Sequence, residues 1–185
     1  MMTGVRTKGA AIKNTLLAIE RLHRKDGLDR VRAAMPEGLR EASQRVLPVE
    51  WYPVELTAAV HAAIKDTLGN GKWDESHRVA GEAARIEMNG AYRVMIRAVQ
   101  YDTVWDRMER MWSQFYDRGE AKWGDRGRGH ATAVIRGVAG FNEGMWQSIA
   151  GRIEVLLQVT GSRGAATTIK AAAATHGTIE ALWLE

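Results

Sequence analysis

The chain contains no cysteine among its 185 residues. Disulfides and thiolate metal sites are thereby excluded, and a reducing, cytoplasmic location is expected. Proline is scarce, with three residues, and no Ser/Pro-rich linker, low-complexity tract or internal repeat divides the sequence. A single domain over residues 1–185 is expected, long enough for a real core and short for two. No apolar run approaches the roughly 18 residues of a membrane span, and the opening residues Met1 to Gly9 hold no apolar stretch of signal-peptide length. The expectation is a soluble, non-secreted protein with no membrane span. A large excess of one charge is missing too: 26 basic residues are interleaved with 22 acidic ones, a net charge of +4. That balance describes a solvated surface better than a nucleic-acid partner.

The usual signatures of catalysis are also missing. The five histidines, His23, His61, His77, His130 and His176, are scattered with no pair at metal-ligand spacing. There is no Gly-x-Ser-x-Gly elbow, no P-loop and no dinucleotide fingerprint. Carboxylate pairs such as Glu37 with Glu41, or Asp106 with Glu109, fall among arginines, as on an ordinary charged surface. Neither an enzyme nor a metal or cofactor is expected. Phenylalanine is rare, with two residues, whereas tryptophan reaches seven. The tryptophans read as core residues in place of phenylalanine, with several at a pocket rim or an interface.

What is present is mostly helical periodicity. Ile12, Leu16, Ile19 and Leu22 predict a helix over Ala11 to Lys25, with Gly27 placed to end it. Short helices are predicted over Asp29 to Met35 and Glu37 to Val46, split by Pro36. The Pro-bracketed aromatic pair of Leu47-Pro48-Val49-Glu50-Trp51-Tyr52-Pro53 then interrupts the helices. A helix over Val54 to Leu68 is closed by Gly69-Asn70-Gly71. One or two helices follow over Glu75 to Val99, interrupted at Gly90, and another over Val104 to Tyr116 behind a Thr103 cap.

After Gly119 the period changes. Glu120 to Trp123 and His130 to Val138 read as a β-hairpin whose loop, residues 124–129, is mobile and basic. Asn142 to Val159 returns to helix, and Thr167 to Ala174 with Thr178 to Leu184 form a second strand pair joined through His176-Gly177. Sequence-adjacent strand pairs with one helix between them predict an α+β domain, helices packed on a twisted antiparallel sheet. Its helical part spans about 9–117 and its hairpin-helix-hairpin part about 119–185.

Several of these residues, in this order, resemble a paralogue-rich myxobacterial family related to the four-vinyl-reductase domain. They are Lys8-Gly9, Leu47-Pro48 with Trp51-Tyr52-Pro53, Leu68-Gly69 with Gly71, Gly90-Ala91-Tyr92-Arg93 with Arg97, Trp112 to Tyr116, and the His176-Gly177 hairpin. That superfamily also holds the small TRAPP vesicle-tethering subunits and the haem nitric-oxide-binding domains. The resemblance implies a four-vinyl-reductase or TRAPP-like fold, a homodimer, and in some relatives an apolar cavity for a lipid-like or small ligand. It implies no catalytic residue. Many relatives carry two cysteines in the last hairpin, and Ala173 and Ala181 stand at the matching positions here.

Three functional readings follow. The leading one is a non-enzymatic regulatory or scaffold domain, a homodimer that binds a protein partner through Trp51, Tyr52 and Trp183. The alternative is a sensor module binding a small apolar or haem-like ligand between helices and sheet, with Met95, Met108, Trp112 and Trp146 in the pocket wall. In that reading His61, beside Val60 on a well-formed helix, is the residue to consider as a haem ligand, against the plainer role of a boundary histidine. The third is nucleic-acid or nucleotide binding through Arg118, Lys122, Arg126 and Arg128 near the second glycine cluster.

Overall fold

The computed structural model describes residues 4–89 and 110–184. The chain opens with a short strand, β1 (Arg6–Lys8), which passes directly into α1 (Gly9–Ala34). α1 is longer than its periodicity suggests, because the expected breaker Gly27 is itself helical and buried. The break falls instead at Arg24, whose φ of 61° lies outside the helical region. Gly27 is needed there for space, since a Cβ would lie 2.2 Å from the His23 Cβ. The helix expected over Asp29 to Met35 is thus the second limb of α1.

Pro36 starts α2 (Glu37–Gln44), and the aromatic pair follows as β2 (Trp51–Pro53). The sequence reading treated that pair as a break between helices. It is a strand, antiparallel to β1 with Thr7 opposite Tyr52. Pro53 ends it and α3 (Val54–Thr67) begins at the next residue. Asn70 (φ 50°) and Gly71 (φ 81°) turn the chain out of α3 in the left-handed conformation, as expected of those residues. α4 (Asp74–Asn89) follows. The second half of the helix predicted over Glu75 to Val99, and the start of that predicted over Val104 to Tyr116, lie outside the described residues. Residues 110–115 are helical.

The second half is a four-stranded antiparallel sheet: β3 (Glu120–Gly127), β4 (His130–Arg136), β5 (Arg163–Ala172) and β6 (His176–Leu184), in the spatial order β3-β4-β6-β5. The expected mobile glycine loop is mostly strand. β3 continues to Gly127 through a register shift between Trp123 and Arg126, leaving a two-residue turn. His176 and Gly177 likewise belong to β6, paired with Arg136 and Ile135, rather than to the turn before it. Ile179 and Ala181 alternate onto the buried face of β6, with Trp183 half-buried beyond them.

Between the hairpins runs α5 (Glu143–Val159), capped by the Asn142 side chain accepting from the Met145 amide at 3.0 Å. The same side chain donates to the Ala58 carbonyl of α3 at 2.9 Å, fixing how the two helices meet. One face of α5 covers the sheet through Met145, Trp146, Ile149 and Ile153. Against α4 its backbone approaches closely, because Gly151 sits where a Cβ would lie 2.3 Å from the His77 carbonyl oxygen. A second apolar cluster is mostly helical, built chiefly by α1, α3 and α4 around Ile12, Ile19, Leu56, Ile64 and Val79. The architecture is α+β, as the strand pairing required. No helix among the described residues is long and apolar enough to cross a membrane.

Candidate functional site

A cavity of about 100 Å³ lies where β1, α1, α3, α4, α5 and the inner face of the sheet meet. Most of its wall is apolar: Met88 from α4, Met111 and Trp112 from the helical residues 110–115, Ile135 from β4, and Ile149 and Ile153 from α5. Trp112 stacks on Tyr116 with ring centroids 4.4 Å apart, and Phe141 continues the aromatic packing at 5.4 Å from Tyr116. Small residues, Ala11, Ala84 and Ala121, leave the space open.

A few polar groups interrupt this wall. Arg152 on α5 donates from Nη1 to both carboxylate oxygens of Glu87, at 2.6 Å to Oε1. Both side chains are largely buried, at 20% and 10% exposure. Arg152 Nη2 also donates to Thr15 Oγ1 at 3.3 Å, Asn14 donates to Glu87 at 3.2 Å, and the guanidinium lies 5.6 Å from the Phe115 ring centroid. The pair is thus charged, neutral overall, and hydrogen-bonded on more than one side, the condition for a buried ion pair to persist. Burial, opposed by Arg152 and assisted by Glu87, pushes the Tyr116 hydroxyl up to about 12, so it stays a neutral phenol. Two further wall residues, Thr7 and Thr57, are 1% and 7% exposed, and their hydroxyls have no hydrogen-bond partner among the described residues.

Of the residues picked out from the sequence for the pocket, Trp112 lines this cavity. Trp146 lies elsewhere: its ring covers Gly177 in the sheet core and its indole N–H donates to the Ala173 carbonyl at 3.1 Å. Met95 and Met108 lie outside the described residues. Trp51 and Tyr52 are half-buried, the first beneath Lys8 (4.6 Å from Nζ to ring centroid), the second accepting from the Leu47 amide at 2.8 Å. The exposed apolar residues of that segment are Leu47 and Val49. Trp183 is half-buried against the sheet core. Arg118, Lys122, Arg126 and Arg128 are exposed along β3 and its flanks, with Lys122 paired to Glu120 at 2.9 Å.

The sequence reading missed Glu87, Arg152, Thr7 and Thr57. For Arg152 a signal existed: it falls at i+3 from Ile149 and i−4 from Leu156, inside the apolar stripe of α5. The threonines left none, because their burial depends on how β1 and α3 pack in the folded chain.

The comparisons bear on the fold. A single-substitution variant of the Fe(II) unliganded H-NOX protein from K. algicida superposes with a TM-score of 0.71 at 8% identity, covering 96% of this chain and 97% of that one. The unsubstituted protein gives 0.67 at 10% identity with the same coverage. A structure solved to probe haem distortion in the H-NOX family gives 0.68 at 10% identity, over 96% and 95%. The fold is that of H-NOX domains. At such identities the likeness is one of architecture, and it falls on the haem nitric-oxide-binding branch of the resemblance read from the sequence. No protein-family model and no curated protein matches the sequence.

Haem is the group this H-NOX fold brings into question, and the described residues do not fit it. Iron in haem proteins is held by histidine, cysteine thiolate, methionine with histidine, or tyrosine. All five histidines are described, and none lines the cavity. His61 is fully buried in α3 beside Gly144 and Trp73. Burial, with help from the Arg152 charge, lowers its pKa to about 3. His23 pairs with Glu75 at 2.7 Å, His77 with Glu154 at 3.3 Å and His130 with Asp125 at 3.4 Å, while His176 is on the sheet's exposed side. Cysteine is absent, and the wall tyrosine, Tyr116, keeps its proton. The space is small as well, of the order of an engineered cavity of about 150 Å³ that takes up a single benzene.

Proposed function

We propose that this chain is a non-enzymatic sensing domain that binds a small ligand in the cavity between β1, α1, α3, α4, α5 and the sheet. One observation carries the reading: a hollow of about 100 Å³ whose wall is apolar save for a few polar residues, the Glu87–Arg152 pair among them. That volume exceeds what a few buried waters need, and the wall chemistry is that of a binding pocket. The H-NOX architecture supports the same reading at the level of fold. It favours the sensor alternative over the scaffold reading taken from the sequence as the leading one. Transmission to a protein partner, through a homodimer or otherwise, is the downstream part of the proposal, as is kinship to the myxobacterial family.

The test is a cavity-filling variant. Ala11→Leu places a larger side chain into the hollow from α1. Saturating benzene or a short alcohol is expected to raise the melting temperature of the wild-type protein, and to leave that of Ala11→Leu unchanged. Ligand present at 100 times its Kd stabilises a folded protein by about 2.7 kcal/mol, well within reach of a thermal melt. Equal responses from the two proteins would show that the probes act elsewhere.

A further inference from the structure

Two opposite charges stand in the apolar wall of the cavity, and the way they are bonded decides which guests the space accepts. We propose that the Glu87–Arg152 pair sets the charge selectivity of the cavity. With the pair intact the guest is a small uncharged, hydrocarbon-like molecule and ions are rejected; with one partner removed, the site takes an ion of that partner's sign. This inference rests on the cavity being a ligand site.

Three observations lead to it. The first is placement. Glu87 of α4 and Arg152 of α5 both line the cavity, and they are the only charged side chains among its described wall residues. The second is bonding. Arg152 Nη1 donates to both oxygens of Glu87, so each charge is already matched by the other. An ion that entered would find no opposite charge left, and an unmatched buried ion is far more costly than an unmatched neutral group. Displacing Glu87 from Arg152 gains nothing, because the displaced carboxylate is then the unmatched ion. Each partner also has a second hold that survives loss of the first: Arg152 on Thr15 Oγ1 and over the Phe115 ring, Glu87 on the Asn14 amide. A lone partner therefore stays in place as a ready counter-charge. The third is the rest of the wall. Met88, Met111, Trp112, Ile149 and Ile153 offer dispersion contacts and apolar surface to cover, which suits a hydrocarbon. A volume of about 100 Å³ limits the guest to about six heavy atoms, the size of benzene.

The experiment uses three probes of nearly one shape and about that size: 2,3-dimethylbutane, the isobutyrate anion and the isobutyramidinium cation. Each is titrated into the whole chain at constant ionic strength and followed by tryptophan fluorescence and thermal melting, with circular dichroism to verify the fold. In the wild-type chain the hydrocarbon is expected to raise the melting temperature and both ions to leave it unchanged. Glu87→Gln keeps the shape of the side chain and removes its charge. It is expected to bind isobutyrate at least about tenfold more tightly than the wild type does, through charge-assisted hydrogen bonds from Arg152. Arg152→Met is expected to show the same gain for isobutyramidinium, held by Glu87. The double variant Glu87→Leu, Arg152→Met should bind the hydrocarbon and neither ion. Where a single variant is unfolded, refolding by its matching ion and not by the other ion replaces the melting shift as the readout.

Either ion binding the wild-type chain as tightly as the hydrocarbon would overturn the inference. So would single variants that gain no affinity for their matching ion, or an ion bound by both variants alike, which would mark a site elsewhere. In those cases hydrocarbon binding by the wild-type chain leaves the cavity standing as a ligand site. If the hydrocarbon does not bind, the reading beneath falls as well.

Discussion

Two buried polar sites lie along α5, eight residues apart, and they are held in opposite ways. At its N-terminal end, His61 of α3 packs against Gly144 and Trp73 with neither ring nitrogen hydrogen-bonded among the described residues. In its middle, Arg152 is bonded to Glu87 and Thr15. The first group meets desolvation by giving up its charge, and the second by finding a counter-charge. A basic side chain in an apolar helix stripe marks the cavity, whereas the histidine that sequence alone nominates as a haem ligand is an isolated core residue. For this chain, the group that looks like chemistry is packing, and the group that looks like surface belongs to the site.

Removing one partner of the ion pair is the strongest way to break the contrast. Glu87→Gln leaves Arg152 buried and uncompensated, and a loss of about 3–5 kcal/mol in urea unfolding is expected. The double replacement Glu87→Leu, Arg152→Met should recover most of it, since no charge is then left unmatched.

The histidine should show its character through pH. Its folded pKa of about 3 lies below the ordinary 6.5, so below pH 6.5 the unfolded chain binds a proton that the folded chain refuses. Stability is therefore complete above pH 6.5 and falls as pH drops toward 3, by up to about 1.4 kcal/mol per unit from this one group. His61→Leu should remove that component. At pH 7 it should stabilise by about 1 kcal/mol, by deleting unsatisfied polar atoms. A wild-type protein and variant with parallel acid profiles would show that His61 has partners or water.

Crowding gives a smaller effect. Gly144→Ala would put a methyl group 2.7 Å from the His61 Cβ and from the Trp73 ring, and a loss of about 2 kcal/mol is expected in the same unfolding assay. The exposed end of the scale is set by Arg6 and Asp117, paired at 2.7 Å with Arg6 half-exposed. Burial works against the Asp117 charge, yet the Arg6 hydrogen bonds hold its carboxyl below the usual value. Arg6→Ala is expected to cost about 0.5–1 kcal/mol in 0.1 M salt, and less in 1 M.

Much of the architecture was legible from periodicity. The apolar spacing of α3 and α5 and the change of period at the strands β4 and β6 are local signals, and local signals survive without a structure. The β1–β2 pair was not legible, because three-residue strands separated by two helices carry too short a pattern. Gly27 misled because its role is space beside His23 rather than helix termination. The glycine-rich stretch misled similarly, being absorbed into a bulged strand. Of the site, Trp112 was legible from the 3–4 repeat of its helix, and Arg152 was available in the α5 stripe but went unused. Thr7 and Thr57 were beyond reach, since nothing in a sequence says which hydroxyls fold inward without a partner.

The central claim is that the cavity takes a small neutral guest. A crystal of the whole chain under xenon pressure tests it most directly, because xenon enters apolar cavities and scatters strongly. The account predicts a xenon peak among Met88, Trp112, Ile149 and Ile153, which is lost in Ala11→Leu. A space filled by side chains, or by hydrogen-bonded water that xenon does not displace, would contradict it.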